Sequence, residues 1–202
     1  MSRRQDRPNA ILWLVRNHPE LKDAQIMRLV GTTKTTIAQI RDSTHWNSAN
    51  LTPADPVTLG LCSQIELDMD SNRLSEAQQR IDRMRTLYPG NYPLNQARVD
   101  LLLKQNNPKE ADKALEALLK SRPDDPDVWY SVAETRGLSG NIIGLHQARA
   151  EFFALVGDYD QALEQLDLAK RRASSNFPLA SRIDARQQEL MEEKRALDKM
   201  MR

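Results

Sequence analysis

The chain has 202 residues, a formal net charge of +1, 28% charged residues and only 5% aromatics. That length holds one large domain or two small ones. A single cysteine, Cys62, excludes an internal disulfide, and no apolar run reaches the roughly 18–20 residues that span a bilayer. The opening Met1-Ser-Arg-Arg-Gln-Asp-Arg lacks the apolar core of a secretory signal. The expectation is a cytoplasmic protein without membrane insertion. All ten prolines fall where apolar helical patterns start or stop, and no period-2 strand stands out, so the fold class is all-α. Residues 1–46 hold eight Lys/Arg and four Asp/Glu, a balance of +4 that leaves −3 for the rest. A basic head on a mildly acidic body suits an anionic partner for the head alone.

In chain order, Pro8 suits the first turn of a helix whose face carries Ile11, Leu14 and Val15, closed by Pro19. A second helix starts near Lys22, with Ile26, Leu29 and Val30 apolar. Gly31-Thr32-Thr33 forms a tight turn in which the glycine takes a positive φ. Ile37 and Ile40 pin a third helix inward. Apolar residues six and nine positions past the glycine give helix-turn-helix spacing. Thr33, Lys34, Thr35, Thr36, Gln39 and Arg41 are then the DNA-facing set, with Arg28, Arg4 and Arg7 as flanking cations. Glutamine reads adenine bidentately, arginine meets guanine or phosphate, and a threonine methyl meets thymine. Met27 departs from the motif, which usually has a small residue four before the glycine. A three-helix structural cap with a solvated polar face is the competing reading.

The run Arg4-Gln-Asp-Arg-Pro-Asn-Ala-Ile-Leu-Trp-Leu-Val-Arg-Asn-His-Pro-Glu-Leu-Lys-Asp-Ala-Gln-Ile, continuing through Thr44-His-Trp-Asn-Ser to Asp55-Pro-Val-Thr-Leu-Gly-Leu-Cys-Ser-Gln-Ile, resembles the C-terminal part of TrcR-type cell-cycle transcriptional regulators of alphaproteobacteria. The likeness covers about residues 3–67 and implies a cytoplasmic DNA-binding regulator. Beyond the third helix, His45-Trp46 is expected to anchor an extended link, with His45 structural rather than a ligand. Thr52-Pro53-Ala54-Asp55 reads as a helix start, followed by Val57, Leu61 and Ile65 on one face. Cys62, among Leu59, Leu61 and Ile65, reads as a buried thiol.

Near Leu67–Asp70 the character changes. Pro89 and Pro123 lie 34 residues apart, and so do Ala77 and Ala111, each alanine 12 residues before its proline. Helix starts recur about every 17 residues, near 73, 92, 108, 125, 142 and 159. This is the beat of the tetratricopeptide repeat, an antiparallel helix pair that stacks on its neighbours. The predicted domains are 1–67, a helix-turn-helix DNA-binding-like module, and 68–202, a tetratricopeptide-repeat-like α-solenoid ending in a long helix. Ala111 to Ala162 spans three half-repeats, so residues 142–156 read either as the second helix of one pair or the first of the next. First helices line the concave face of such a stack. The register from Pro123 and Trp129 points Gln96, Asp100, Lys104, Tyr130 and Glu134 into it as a peptide groove, with Tyr130 its only aromatic. Asp100 and Glu134 favour a ligand carrying Lys or Arg. From Pro178, the seam Leu179, Ile183, Leu190 and Leu197 either caps the stack or projects and dimerises.

Tyr88-Pro-Gly-Asn-Tyr, Leu101-Leu-Leu-Lys-Gln-Asn-Asn-Pro-Lys-Glu-Ala, Asp124-Asp-Pro-Asp-Val-Trp and Arg149-Ala-Glu-Phe-Phe-Ala-Leu-Val-Gly-Asp-Tyr-Asp-Gln-Ala resemble the C-terminal repeat domain of BepA-type periplasmic metalloprotease/chaperones over about residues 70–199. The resemblance implies protein binding, and by itself a periplasmic setting. It lends no protease activity, because His18, His45 and His146 stand in no H-E-x-x-H pattern. No nucleophile–base set, metal cluster or phosphate loop appears in the sequence. The expectation is a non-enzymatic protein without cofactor, binding a protein or peptide through the repeats and duplex DNA through residues 1–67. The alternative is a pure interaction scaffold, related to outer-membrane assembly, whose first helices only cap the repeats.

Overall fold

The structure is a computed structural model that describes residues 3–200, with side chains from Asp6 onward. Among the described residues it is all helical, with eleven α-helices and one 3-10 turn. The chain packs as two compact units, Met1–Pro89 and Gly90–Arg202.

The first unit opens with α1 (Arg3–Asn17), α2 (Asp23–Val30) and α3 (Lys34–Arg41). α1 begins before Pro8, so that proline sits inside the helix rather than in its first turn. Only one helical hydrogen bond near the start is forfeited there. α2 ends on Gly31 at φ 65°, in the expected left-handed cap. Thr33 caps α3 by accepting a hydrogen bond from the Thr36 amide. Ile11, Leu14, Ile26, Ile37 and Ile40 meet in one buried cluster, with Met27 packed partly against it.

Residues 51–63 depart from the expected helix. Asp55 caps a short turn by accepting from the Val57 amide at 2.9 Å, and Gly60 at φ 67° ends it. Two prolines in four residues and a left-handed glycine leave no room for continuous helical bonding. The link is instead tied to α1, where the Asn9 side chain accepts from Thr52 N at 3.1 Å. His45 is buried, with its Nδ1 accepting from Asn47 N, but Trp46 is 85% exposed, its ring tilted against that of His45 with centroids 5.6 Å apart.

The helix restarts as α4 (Gln64–Asp70), where Ser63 and Glu66 cap each other reciprocally. α5 (Leu74–Leu87) follows. The predicted boundary at residue 67 thus falls inside α4, and the packing boundary lies at Pro89/Gly90. Leu67 belongs to the head's core. Asp70 ion-pairs with Arg28 of α2, and its carbonyl accepts from Gln25 Nε2 at 2.7 Å. Ser71 Oγ lies 3.2 Å from His18 Nδ1. Asp68, with a side chain 2% exposed, takes Arg73 and Arg80 at 2.8 Å each and Gln64 at 2.8 Å. The bonds that hold α4 to α2 on one side and to α5 on the other are therefore largely charged.

In the second unit, α6 (Tyr92–Lys104), α7 (Pro108–Ser121), α8 (Pro126–Leu138), α9 (Ile142–Leu155) and α10 (Tyr159–Arg172) each start on an Asn or Asp cap: Asn91, Asn107, Asp125, Asn141 and Asp158. Those side chains satisfy amides that no turn of the helix can reach. Trp129 Nε1 donates to Pro123 O at 2.7 Å, closing the turn before α8. One core gathers Val99, Leu102, Ala111, Leu115, Val132 and Ala148; a second gathers Ala150, Ala154, Ala162, Leu166, Ile183 and Leu190. α9 feeds both cores, so its two sequence roles coexist. Gly137 lets it come close to α8, since a Cβ there would stand 2.8 Å from Leu145 Cδ1.

The long helix α11 (Phe177–Met200) lies along the repeats, burying Ile183, Gln187 and Leu190. Arg186 grips Glu151 through two bonds of 2.9 Å, Lys170 pairs with Asp184, and Lys194 pairs with Asp160. Leu197 of the expected seam stays exposed.

Two outcomes follow for the first unit. Replacing both Arg73 and Arg80 by Ala strips a buried carboxylate of its cations. It should cost at least about 2 kcal/mol in urea unfolding, the low side for a buried pair because the arginines are half exposed. Asp68→Asn should cost less, because both arginines then return to water. Cys62 is half-buried, and burial followed by the charges of Glu66, Asp55 and Asp70 raises its thiol from the ordinary 9.0 to about 11. A folded pKa above the unfolded one gives stability that is complete below about pH 9 and lost as pH rises through 11. Native Cys62 should accordingly alkylate far more slowly at pH 8 than the urea-unfolded chain; equal rates would contradict the burial.

Candidate functional sites: the α3 face and a notch in the repeats

With Ile37 and Ile40 turned into the core, α3 presents Thr35 and Gln39 on its far side and Lys34 and Arg41 flanking its buried face, all four exposed. The expected set does not act as one free surface. Thr33 is committed to the cap, with its Oγ1 2.9 Å from that of Thr36. Arg41 Nη2 donates to Asp23 Oδ1 at 3.2 Å. Arg28 belongs to Asp70. Arg7 is exposed and lies against the turn, its Nη2 3.7 Å from where a Gly31 Cβ would be. The Arg4 side chain lies outside the described residues. Lys34 and Gln39 have no charged partner among the described residues, which leaves them the most available hydrogen-bonding groups on α3.

In the second unit the five expected groove residues divide into two groups. Gln96 Nε2 reaches Asp100 Oδ1 at 3.3 Å and Ser131 Oγ at 3.5 Å, bridging α6 to α8, while Lys104 is exposed at the end of α6. Tyr130 and Glu134 line a separate notch of about 390 Å³ between α8, α9 and α10, together with Leu145, Arg149, Phe152 and Gln165. Tyr130 is 52% exposed, and its ring stands edge-on to Phe152 with centroids 5.8 Å apart; Phe152 in turn meets Phe153 at 5.3 Å.

Tyr130 is therefore not the sole aromatic, and Arg149 puts a cation opposite Glu134. The sequence reading missed Phe152 and Arg149 because it left the role of residues 142–156 open. The adjacent Phe152-Phe153 pair was the available signal, and both rings line the notch. Glu134 and Arg149 form no ion pair among the described residues, so both charges are open to a partner. His146 is used structurally, with Nδ1 2.9 Å from Gln165 Oε1.

Tyr130→Ala should lower stability by only about 1 kcal/mol, the value of one aromatic pair, whereas Leu115→Ala in the core should cost about 2–5 kcal/mol. Urea denaturation of the two variants separates them. A loss at Tyr130 as large as that at Leu115 would make it a core residue.

Comparison with known proteins adds two segment-wise likenesses. Residues 1–76 match the family described as transcriptional cell cycle regulator TrcR, and residues 68–134 match the tetratricopeptide repeat. The beta-barrel assembly-enhancing proteases of Escherichia coli K12 and Shigella flexneri are each 29% identical over 121 residues, covering 60% of this chain. The chain spans about a quarter of the length of those relatives, 25% of each. The two matches follow one another along the chain and overlap on residues 68–76.

Proposed function

We propose that this is a non-enzymatic, cytoplasmic regulator whose first helices bind duplex DNA through α3 and whose repeats hold a protein or peptide partner. The observation that supports it is the division of α3: Ile37 and Ile40 buried, Lys34, Thr35 and Gln39 exposed beside a left-handed glycine turn. That division supports a helix-turn-helix reading, in which lysine and glutamine suit phosphate and adenine edges. The likeness of residues 1–76 to a regulator family supports both the DNA partner and the compartment. In the repeats, the notch around Tyr130 and Phe152 suits an apolar side chain flanked by one cation and one anion, facing Glu134 and Arg149 respectively. The name of the curated relatives speaks of barrel assembly and proteolysis; here the likeness supports only protein binding.

A second reading is favoured by one observation, that the segment matched by the repeat family begins inside α4, whose Leu67 belongs to the head's core. In it the head is a structural cap on an interaction scaffold.

Fluorescence anisotropy on a mixed-sequence duplex at low salt distinguishes the two. DNA binding predicts a salt-dependent affinity that weakens in Lys34→Ala/Gln39→Ala, with a salt slope shallower by about one per lost phosphate contact. Identical behaviour of wild type and double variant would leave the cap reading.

A further inference from the structure

The first unit carries a second cationic feature, whose lining includes no residue of α3. α1, α2 and the turn at residues 59–61 enclose an open cleft of about 570 Å³, lined by Asp6, Arg7, Arg28, Gly31, Gly60 and Leu61 among others. Two guanidiniums stand on its walls. Arg7 is exposed and has no ion pair among the described residues. It rests against the C-terminal turn of α2, where the helix's negative end holds a cation in place.

Arg28 is held differently. Its Nη2 donates to Asp70, whose side chain is 2% exposed, yet the Arg28 side chain remains 66% exposed. Releasing Arg28 would take a cation away from a buried carboxylate, which is costly. Arg28 therefore stays where Asp70 puts it. A guanidinium has five donors, so one bond to Asp70 leaves others for a ligand.

We infer that the cleft between α1, α2 and the 59–61 turn is a phosphate-binding site in which Arg7 and Arg28 donate to the phosphate oxygens and Asp70 is a positioning residue for Arg28. Planar guanidiniums suit phosphate better than ammonium groups do, because two N–H bonds run parallel to two oxygens. The glycine edges, Gly31 and Gly60, keep side chains off the rim. Asp6 on the same wall offsets part of the positive charge. It also gives an acceptor for a hydroxyl or amine next to the phosphate. The phosphate belongs either to a nucleic-acid backbone or to a small phosphate such as a nucleotide, and both present the same oxygens to the arginines.

The test uses the full chain as wild type, Arg7→Ala, Asp70→Asn and Lys34→Ala, with melting curves to verify that each folds. Inorganic phosphate and ATP are titrated calorimetrically, and a mixed-sequence duplex by anisotropy. Arg7→Ala should weaken the phosphate-bearing probe about tenfold, as loss of one charge-assisted pair would. Asp70→Asn should weaken it too, although Asp70 never touches the ligand. If ATP or phosphate binding falls, the source is a small phosphate. If only duplex affinity falls, with a salt slope shallower by about one, the source is the backbone. Probe binding that Arg7→Ala leaves untouched overturns the site, as does a wild type that binds no probe. Tighter binding by Asp70→Asn overturns the positioning role, since Asp70 would then mask Arg28. Lys34→Ala keeps the readings apart. Loss there with Arg7→Ala unaffected leaves the α3 reading standing without the cleft; the reverse leaves the cleft without the α3 reading.

Discussion

Asp68 and Asp70 are two carboxylates on one short helix, both taken out of water and both answered by arginine. Isolated burial of either charge would be prohibitive, so the fold of the first unit has to bring Arg28, Arg73 and Arg80 to them. Asp70 binds α4 to α2, and Asp68 binds α5 to α4. Leu67, between Glu66 and Asp68 in the chain, points into the head's apolar core. A seven-residue helix has little apolar face of its own, and charge supplies the register that apolar area cannot. The same bonds decide where Arg28 is, and so which of the head's cations a ligand could meet.

The second unit has no fully buried charge among its described residues; its inner ion pairs, Arg136 with Asp112 and Arg186 with Glu151, stay partly exposed. Its helices start on side-chain caps at near-regular spacing, and small residues set the closest crossings. α9 is the exception to a strict alternation of roles. It sends Ala148 into one core and Ala150 and Ala154 into the other. A helix buried on two sides has only a narrow strip left, and Arg149 and Phe152 stand where that strip opens on α8. The notch is a consequence of that shared helix. The long α11 then covers the second core with Ile183 and Leu190 and fastens itself by Arg186 to Glu151 of α9.

The family likenesses and the packing divide the chain at different places for a physical reason. Sequence character records the repeat beat, which starts where Ala77 and Pro89 begin to matter. Packing records which surfaces exclude water together, and α4 and α5 exclude water with the head. The overlap of the two family matches on residues 68–76 falls on the segment that carries Asp68, Asp70 and Arg73. That segment spans the end of α4 and the start of α5, both of which pack in the first unit.

The sequence by itself determined the all-helical class, the turn at Gly31, the inward pair Ile37 and Ile40, and the starts of α6 to α10. Each of these rests on local physics: a positive φ, an apolar period, a cap or a proline stop acts within a few residues. The extent of α1 before Pro8, the broken link at Asp55–Gly60, the exposure of Trp46 and the pairing of Arg28 and Arg41 were decided only by the tertiary structure, as was the meeting of Tyr130 with Phe152 and Arg149. Those outcomes depend on which charge finds which partner over tens of residues, and on which helices bring their aromatic rings together. A carboxylate at position 70 and an arginine at position 28 carry no mark of each other in the chain; only the cost of burying one without the other brings them together.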